Sequence, residues 1–280
     1  MTTREKVCDT LVKAGSTFRE DKKQAYRDAI AKEQNKKARW VLEQILANAE
    51  TAEENLSPLC DDTGIPHLVL EVGPDCAVTG RMLEEIRQGV ADGLRKLPGR
   101  PMGILGNDSQ RIDQSGGLNP DSAGVEPAPI LIRPAAGNVI RLHILMFGGG
   151  PAIRAKTFRV FHRHSTRVVL DEIVQWAAEG VSQLGCSPCT LAVGIGRSHF
   201  EAASMMLQAQ VDGKYDVQSE MESEITRRVN EANIGPLGLG GNTSVLATFL
   251  RVGPQRASGV RIVCVRPACC FEPRIATVEL

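Results

Sequence analysis

The sequence predicts a helix-rich, mixed α/β domain with a small β-sheet. Three observations lead there. Apolar side chains in the first fifty residues recur at helical spacing. Short apolar runs bounded by Gly, Pro and Asn punctuate the rest of the chain. Amphipathic stretches alternate with those runs. A chain of 280 residues can bury a sizeable core. We expect a single domain over residues 1–280, with a helical N-terminal part over about 1–56.

From Lys36 to Glu50, Val41, Leu42, Ile45, Leu46 and Ala49 mark one helical face, and Pro58 closes the region. The turn "CDDTG" (60–64) follows. His67 to Val72 reads as a buried strand. Leu83, Ile86, Val90, Leu94 and Leu97 predict an amphipathic helix stopped by Pro98 and Gly99. Gly99 to Pro129 is a long loop of the kind that is usually functional or mobile. Val139 to Phe147 is strand-like and runs into Gly148, Gly149 and Gly150. Val169, Ile173, Trp176, Ala177 and Val181 give another helix, with Gly185 where a C-terminal cap belongs. Thr190 to Gly196 is a short buried strand. Met221, Ile225, Val229 and Ala232 mark a helix ending at "NIGPLGLGGNT". "VLATFLRV" and "GVRIVCV" are the closing strands.

Thirty-three basic and 33 acidic residues balance, which removes the electrostatic argument for a nucleic-acid or membrane partner. Aromatics, at 4%, are too scarce for a base-stacking platform. The N-terminus lacks the apolar core of a signal peptide, and no apolar run nears the ~20 residues of a membrane span. A soluble, cytoplasmic protein is expected. In a reducing compartment its eight cysteines are not structural disulfides, and most should be small buried apolar residues.

Cys60, Cys186 and Cys270 sit beside breaks in regular structure, next to Pro or Gly. Thiolates are soft ligands suited to zinc, copper(I) or iron–sulfur clusters, but only the fold could bring these three together. "CSPC" (186–189) is a rival, a C-x-x-C pair able to bind zinc in a structural or interaction protein. The clusters "FGGGPAIRAK" and "GPLGLGGNT" are candidate anion nests or simply tight turns. Arg154 and Lys156 beside the first favour a carboxylate-binding role there.

Five segments carry a family resemblance. "PLCDDTG" resembles the Cys-Gln-Asp-Thr-Gly motif of class I (iron–sulfur) fumarases and L-tartrate dehydratases. "CSPCTLAVGIG", "NIGPLGLGGNTSVLA" and "CFEPRI" are similar to further motifs of that family, in the same order. "GGGPAIRAK" looks closer to the tartrate-type loop than to the fumarase type. The resemblance covers about residue 35 to the C-terminus and only the cluster-bearing α part. It implies a class I fumarase α-domain-like fold with residues 57–280 as the cluster-binding part.

It also implies a 4Fe–4S cluster on Cys60, Cys186 and Cys270. Arg274, four positions on, selects Cys270 over Cys269. The implied activity is that of a hydro-lyase on a malate- or tartrate-type 2-hydroxy acid. Asp62 takes the family's catalytic proton-handling position, although capping the following turn is an ordinary job for Asp. Thr63 and Gly64 would make the turn that aims Cys60 and Asp62. Gly149 and Gly150 would offer backbone donors to substrate, and Arg154 and Arg100 would bind its carboxylates. A separate β subunit is implied, in a hetero-oligomer or a homodimer.

Asp61 stands where the family has a substrate-contacting Gln, so it must be protonated or turned away from a dianion. Arg197 replaces a fumarase glycine, and Ile275 a second terminal arginine. The substrate therefore need not be fumarate or tartrate itself. A relative that binds a ligand without turnover is the other alternative.

Overall fold

The computed structural model describes residues 1–62, 64–97, 100 and 102–280. In chain order the elements are α1 (Thr3–Ser16), α2 (Glu20–Lys32), α3 (Lys36–Asn55), β1 (Ile65–Val72), α4 (Gly80–Lys96), α5 (Asp108–Asp113), β2 (Leu131–Pro134), β3 (Ile140–Phe147), α6 (Gly149–Arg154), β4 (Lys156–Phe161), α7 (Thr166–Leu184), β5 (Cys189–Gly196), α8 (His199–Asp212), α9 (Glu220–Asn230), β6 (Val245–Val252), β7 (Val260–Ala268) and β8 (Arg274–Glu279). The fold is mixed α/β, as the sequence predicts, but with two four-stranded sheets rather than one. The chain divides into two compact units that interleave in sequence. Of the predicted stop signals, Pro98 and Gly99 lie outside the described residues, as does Thr63.

The first unit comprises Met1–Phe18, Asn48–Gly149 and Arg274–Leu280. Its sheet runs β2-β1-β3-β8, with β1 parallel to β2 and antiparallel to β3. β8 closes the sheet against β3, pairing Arg274 with Met146. Alternation along the strands puts Leu68, Leu70, Leu142, Ile144 and Met146 on one face. That face packs on Val7 and Leu11 of α1 and on Ile86, Val90 and Leu94 of α4. α1 starts with a capping box, Thr2 and Glu5 satisfying each other's backbone N–H groups.

The second unit comprises Arg19–Ala47 and Gly150–Pro273. Its sheet runs β4-β7-β5-β6. β5 is central and buried along its whole length, pairing parallel with β6 and antiparallel with β7. One face packs Val169, Ile173 and Val181 of α7 and Ile225 and Val229 of α9 against Leu191, Val193 and Val263. On α8 the helix backbone comes so close that a Cβ at Gly194 would lie 2.1 Å from the Ala202 carbonyl oxygen. Only glycine fits there.

Candidate active site

In the first unit, the turn after α3 is tied down before it reaches Cys60. The Leu59 N–H donates to the Gly15 carbonyl at 2.9 Å, and Asn48 donates to the Leu59 carbonyl at 3.2 Å. Leu59 is itself buried. Cys60 is half-buried, with its Sγ 3.5 Å from Asp61 Oδ1. Asp61 is turned outward, 78% exposed, and pairs with Arg100 at 3.3 Å.

Asp62 is held from three sides. Its Oδ1 accepts from the Gly64 N–H at 3.2 Å and its Oδ2 from the Gly149 N–H at 2.8 Å. Its carbonyl accepts from Arg274 Nη1 at 2.6 Å. Gly64 has φ +83°, a region glycine alone enters without strain. The Gly64 bond is the turn-capping role open to any Asp, and the Gly149 bond is additional. Asp62 lines a cleft of about 640 Å³ with Gly64, Phe147 and Gly149. The predicted long loop supplies the other walls, among them Met102–Gly106, Asn119 and Gly124–Glu126.

That loop is built rather than slack. Leu105 N–H donates to the Gly117 carbonyl at 2.9 Å and Asn119 N–H to the Gly103 carbonyl at 2.8 Å. Asn107 and Gln110 form a capping box on α5. Asp121 accepts two bonds from Arg95, at 3.1 and 2.7 Å. The cleft wall is therefore braced by backbone and side-chain hydrogen bonds at several points.

In the second unit, α7 ends at Leu184, and Gly185, with φ +77°, turns the chain into Cys186. Cys186 is exposed and Cys270 buried. The Cys270 N–H donates to the Cys186 carbonyl at 2.9 Å, so two of the three predicted ligands share one corner. The turn at 233–241 seats this corner. Ser187 Oγ donates to the Gly235 carbonyl at 2.7 Å, and the Leu237 N–H to the Ser187 carbonyl at 3.1 Å. Buried Tyr26 donates to the Cys270 carbonyl at 2.8 Å, and Lys22 to the Glu272 carbonyl at 2.7 Å.

The hydrogen bond with Cys269, then burial, holds the Cys270 thiol well above the usual range. Cys189, the other half of "CSPC", is fully buried in the apolar core, and burial raises its thiol too. The two thiols of the C-x-x-C pair thus face different surroundings, the reverse of a shared zinc site. Arg154 donates to the Gln183 carbonyl at 2.9 Å and to Gly150 at 3.4 Å, closing the end of α7. Cys60 belongs to the first unit. Among the described residues, no three His, Cys, Asp or Glu side chains gather as a metal-holding group.

Comparison with known proteins gives this geometry its context. A family model described as fumarate hydratase (Fumerase) matches residues 4–279. The chain belongs to the fumarate hydratase family. It is a member of a hydro-lyase family by that assignment. A Methanocaldococcus jannaschii protein provisionally named L(+)-tartrate dehydratase subunit alpha is 25% identical, over 97% of this chain and 96% of its own. L(+)-tartrate dehydratase subunit alpha of Escherichia coli is 23% identical over 77% of this chain and 70% of its own. A Geobacillus stearothermophilus protein provisionally named fumarate hydratase class I is 24% identical over 86% of this chain, which spans 48% of it.

The thiols of the second unit suit an iron–sulfur group by donor chemistry. They are soft and free of disulfides, and burial penalises the bare Cys270 thiolate that a cation would stabilise. Sequence reasoning used Arg274 only to choose between two cysteines. It missed that this buried side chain holds the Asp62 loop. Tyr26 and Lys22 were missed as well, since a helical pattern says nothing of which carbonyl a polar tip will reach. Among the described residues no helix is long and apolar enough to cross a membrane.

Proposed function

We propose that this chain is the α subunit of an iron–sulfur-dependent hydro-lyase. It reversibly adds water to, or removes it from, a 2-hydroxy (di)carboxylic acid of the malate or tartrate type. The observation that carries the reading is Asp62, a carboxylate fixed by two backbone N–H groups on the wall of a cleft. The nearly full-length family match supplies the reaction class.

Cys60, Cys186 and Cys270 would hold the 4Fe–4S cluster. When bound, it supplies a Lewis-acidic iron that eases departure of hydroxide. Asp62 exchanges a proton near the leaving hydroxyl, using the lone pairs its backbone bonds leave open. Gly149 acts through Asp62, its N–H being already donated there. The exposed Asp61–Arg100 pair is worth at most about 1 kcal/mol, so a substrate carboxylate can displace Asp61 from Arg100. Gly150 and Arg154 complete the proposed substrate contacts. Residues 1–280 then form one cluster-bearing module of a cytoplasmic enzyme. The naming of the relatives as α subunits supports a separate β subunit that completes the site. The assembly is a hetero-oligomer or a homodimer.

The test is turnover. The chain, purified without oxygen together with a β-type partner, is assayed against a panel of 2-hydroxy mono- and dicarboxylic acids. Reversible dehydration of at least one, lost in air, is expected. An iron-loaded complex that turns over none of them would contradict the assignment and favour a ligand-binding relative.

A further inference from the structure

We infer that Arg274 is the positioning residue for Asp62, setting the carboxylate's place in the cleft from beneath the loop. The inference rests on the reading of Asp62 as the proton-transfer group. Arg274 is 2% exposed and opens β8. Its Nε donates to the Met146 carbonyl at 3.2 Å and its Nη1 to the Asp62 carbonyl at 2.6 Å. Among the described residues its bonds are to carbonyls, with no ion pair to a carboxylate. A buried guanidinium is costly, and a sheet edge could be closed by an apolar side chain at less expense.

What the guanidinium does is visible in its placement. One donor grips the end of β3, the strand that leads into Gly149, and another grips the Asp62 backbone. These are the two segments whose N–H groups and carboxylate meet at Asp62 Oδ2. A planar fork fixes both at once, where an ammonium would act as a single point. Gly64 completes the fit: a Cβ there would fall 2.5 Å from Arg274 Nη2 and 2.9 Å from the Phe147 carbonyl. Arg274 does not line the cleft and acts on the reaction through Asp62 alone.

The test uses Arg274→Lys in the complete, iron-loaded enzyme, with two readouts. Amide hydrogen exchange is followed by mass spectrometry in the 59–66 and 147–150 segments, and in 68–72 and 140–144 as the sheet control. Arg274→Lys should speed exchange in the first pair by about tenfold, equivalent to about 1.4 kcal/mol of local stability, and leave the control pair unchanged. kcat should fall by about 100-fold, while KM moves less than about threefold, because a misplaced group costs the chemical step. Gly64→Ala, which presses on the same guanidinium, should give the same pattern.

Unchanged exchange at 59–66 in Arg274→Lys would overturn the inference. So would faster exchange across the whole sheet, since that marks a general structural role. A wild-type enzyme without turnover would defeat the function proposed above, and the exchange readout would still decide this inference.

Discussion

The Asp62 loop and the Cys270 corner each hold a candidate functional group beside a chain reversal, and they do so by opposite means. In the first unit a half-buried carboxylate is surrounded by donors: two backbone N–H groups on its oxygens and a guanidinium on its carbonyl. In the second unit the backbone is pinned in the same way, by Cys186, Tyr26 and Lys22, but the thiol is buried, and its hydrogen bond with Cys269 and then burial raise it above the usual range. The difference teaches which group works alone. The carboxylate is fixed by donors already in place within its own unit. A buried thiol becomes a ligand only when a cation arrives to replace its proton.

The largest expected effect separates Cys270 from its neighbour in the core. Cys270→Ser should abolish both iron retention and turnover, whereas Cys189→Ala should keep both and cost about 1 kcal/mol of stability. Iron content and denaturant unfolding check the pair. Equal loss of iron in the two variants would break the contrast.

Asp62→Asn comes next. It keeps an acceptor for one N–H and removes the charge and the base, so kcat should fall by about 10²–10⁴-fold with the fold intact. Steady-state kinetics beside circular dichroism would show it. In the core beneath, Leu70→Ala should cost about 2–5 kcal/mol, because Leu70 is fully buried between β1 and the two helices. Urea unfolding at constant m-value measures that loss.

The smallest effect is on pH. On the same sheet, burial lowers His143 below 6.5, against the pull of Glu71. Burial alone would raise Glu71, but Arg133, His143 and Arg141 together bring it below its usual value. Both groups bind protons more weakly folded than unfolded. Their contribution is therefore complete above the unfolded values and declines as pH falls, first below 6.5 for His143 and then through the carboxylate range for Glu71. Melting temperature should drop as pH is lowered from about 8 to about 5, and His143→Gln should flatten the part just below 6.5.

Much of the architecture was legible where one strong pattern ruled. "VLATFLRV" is β6 end to end, and the strands predicted at 67–72, 139–147 and 190–196 lie within two residues of β1, β3 and β5. Gly185 caps α7 as its position suggested. The elements that escaped carry weak signals. β2 has four residues, β4 is an exposed edge strand, and β8 mixes charge with apolar groups. α8 is apolar on more than one side, so it offers no clear stripe. The loop at 99–129, read as functional or mobile, supplies walls of the Asp62 cleft, but its capping boxes and turns gave α5 and the cleft wall no hydrophobic period to find.

The family motifs grouped Cys60, Cys186 and Cys270, which no spacing rule could do, and the structure brings Cys186 and Cys270 to one corner, with Cys60 in the first unit. Arg274 stayed hidden because its role depends on β8 lying beside β3, a long-range pairing. The interleaving of the two units was invisible for the same reason.

The most direct measurement is iron and acid-labile sulfide per chain, in protein purified without oxygen, for the wild type and for Cys60→Ser, Cys186→Ser and Cys270→Ser. The account predicts about four of each in the wild type and a marked fall in every variant. A wild-type chain without iron, or a Cys60→Ser chain that keeps the full complement, would contradict it.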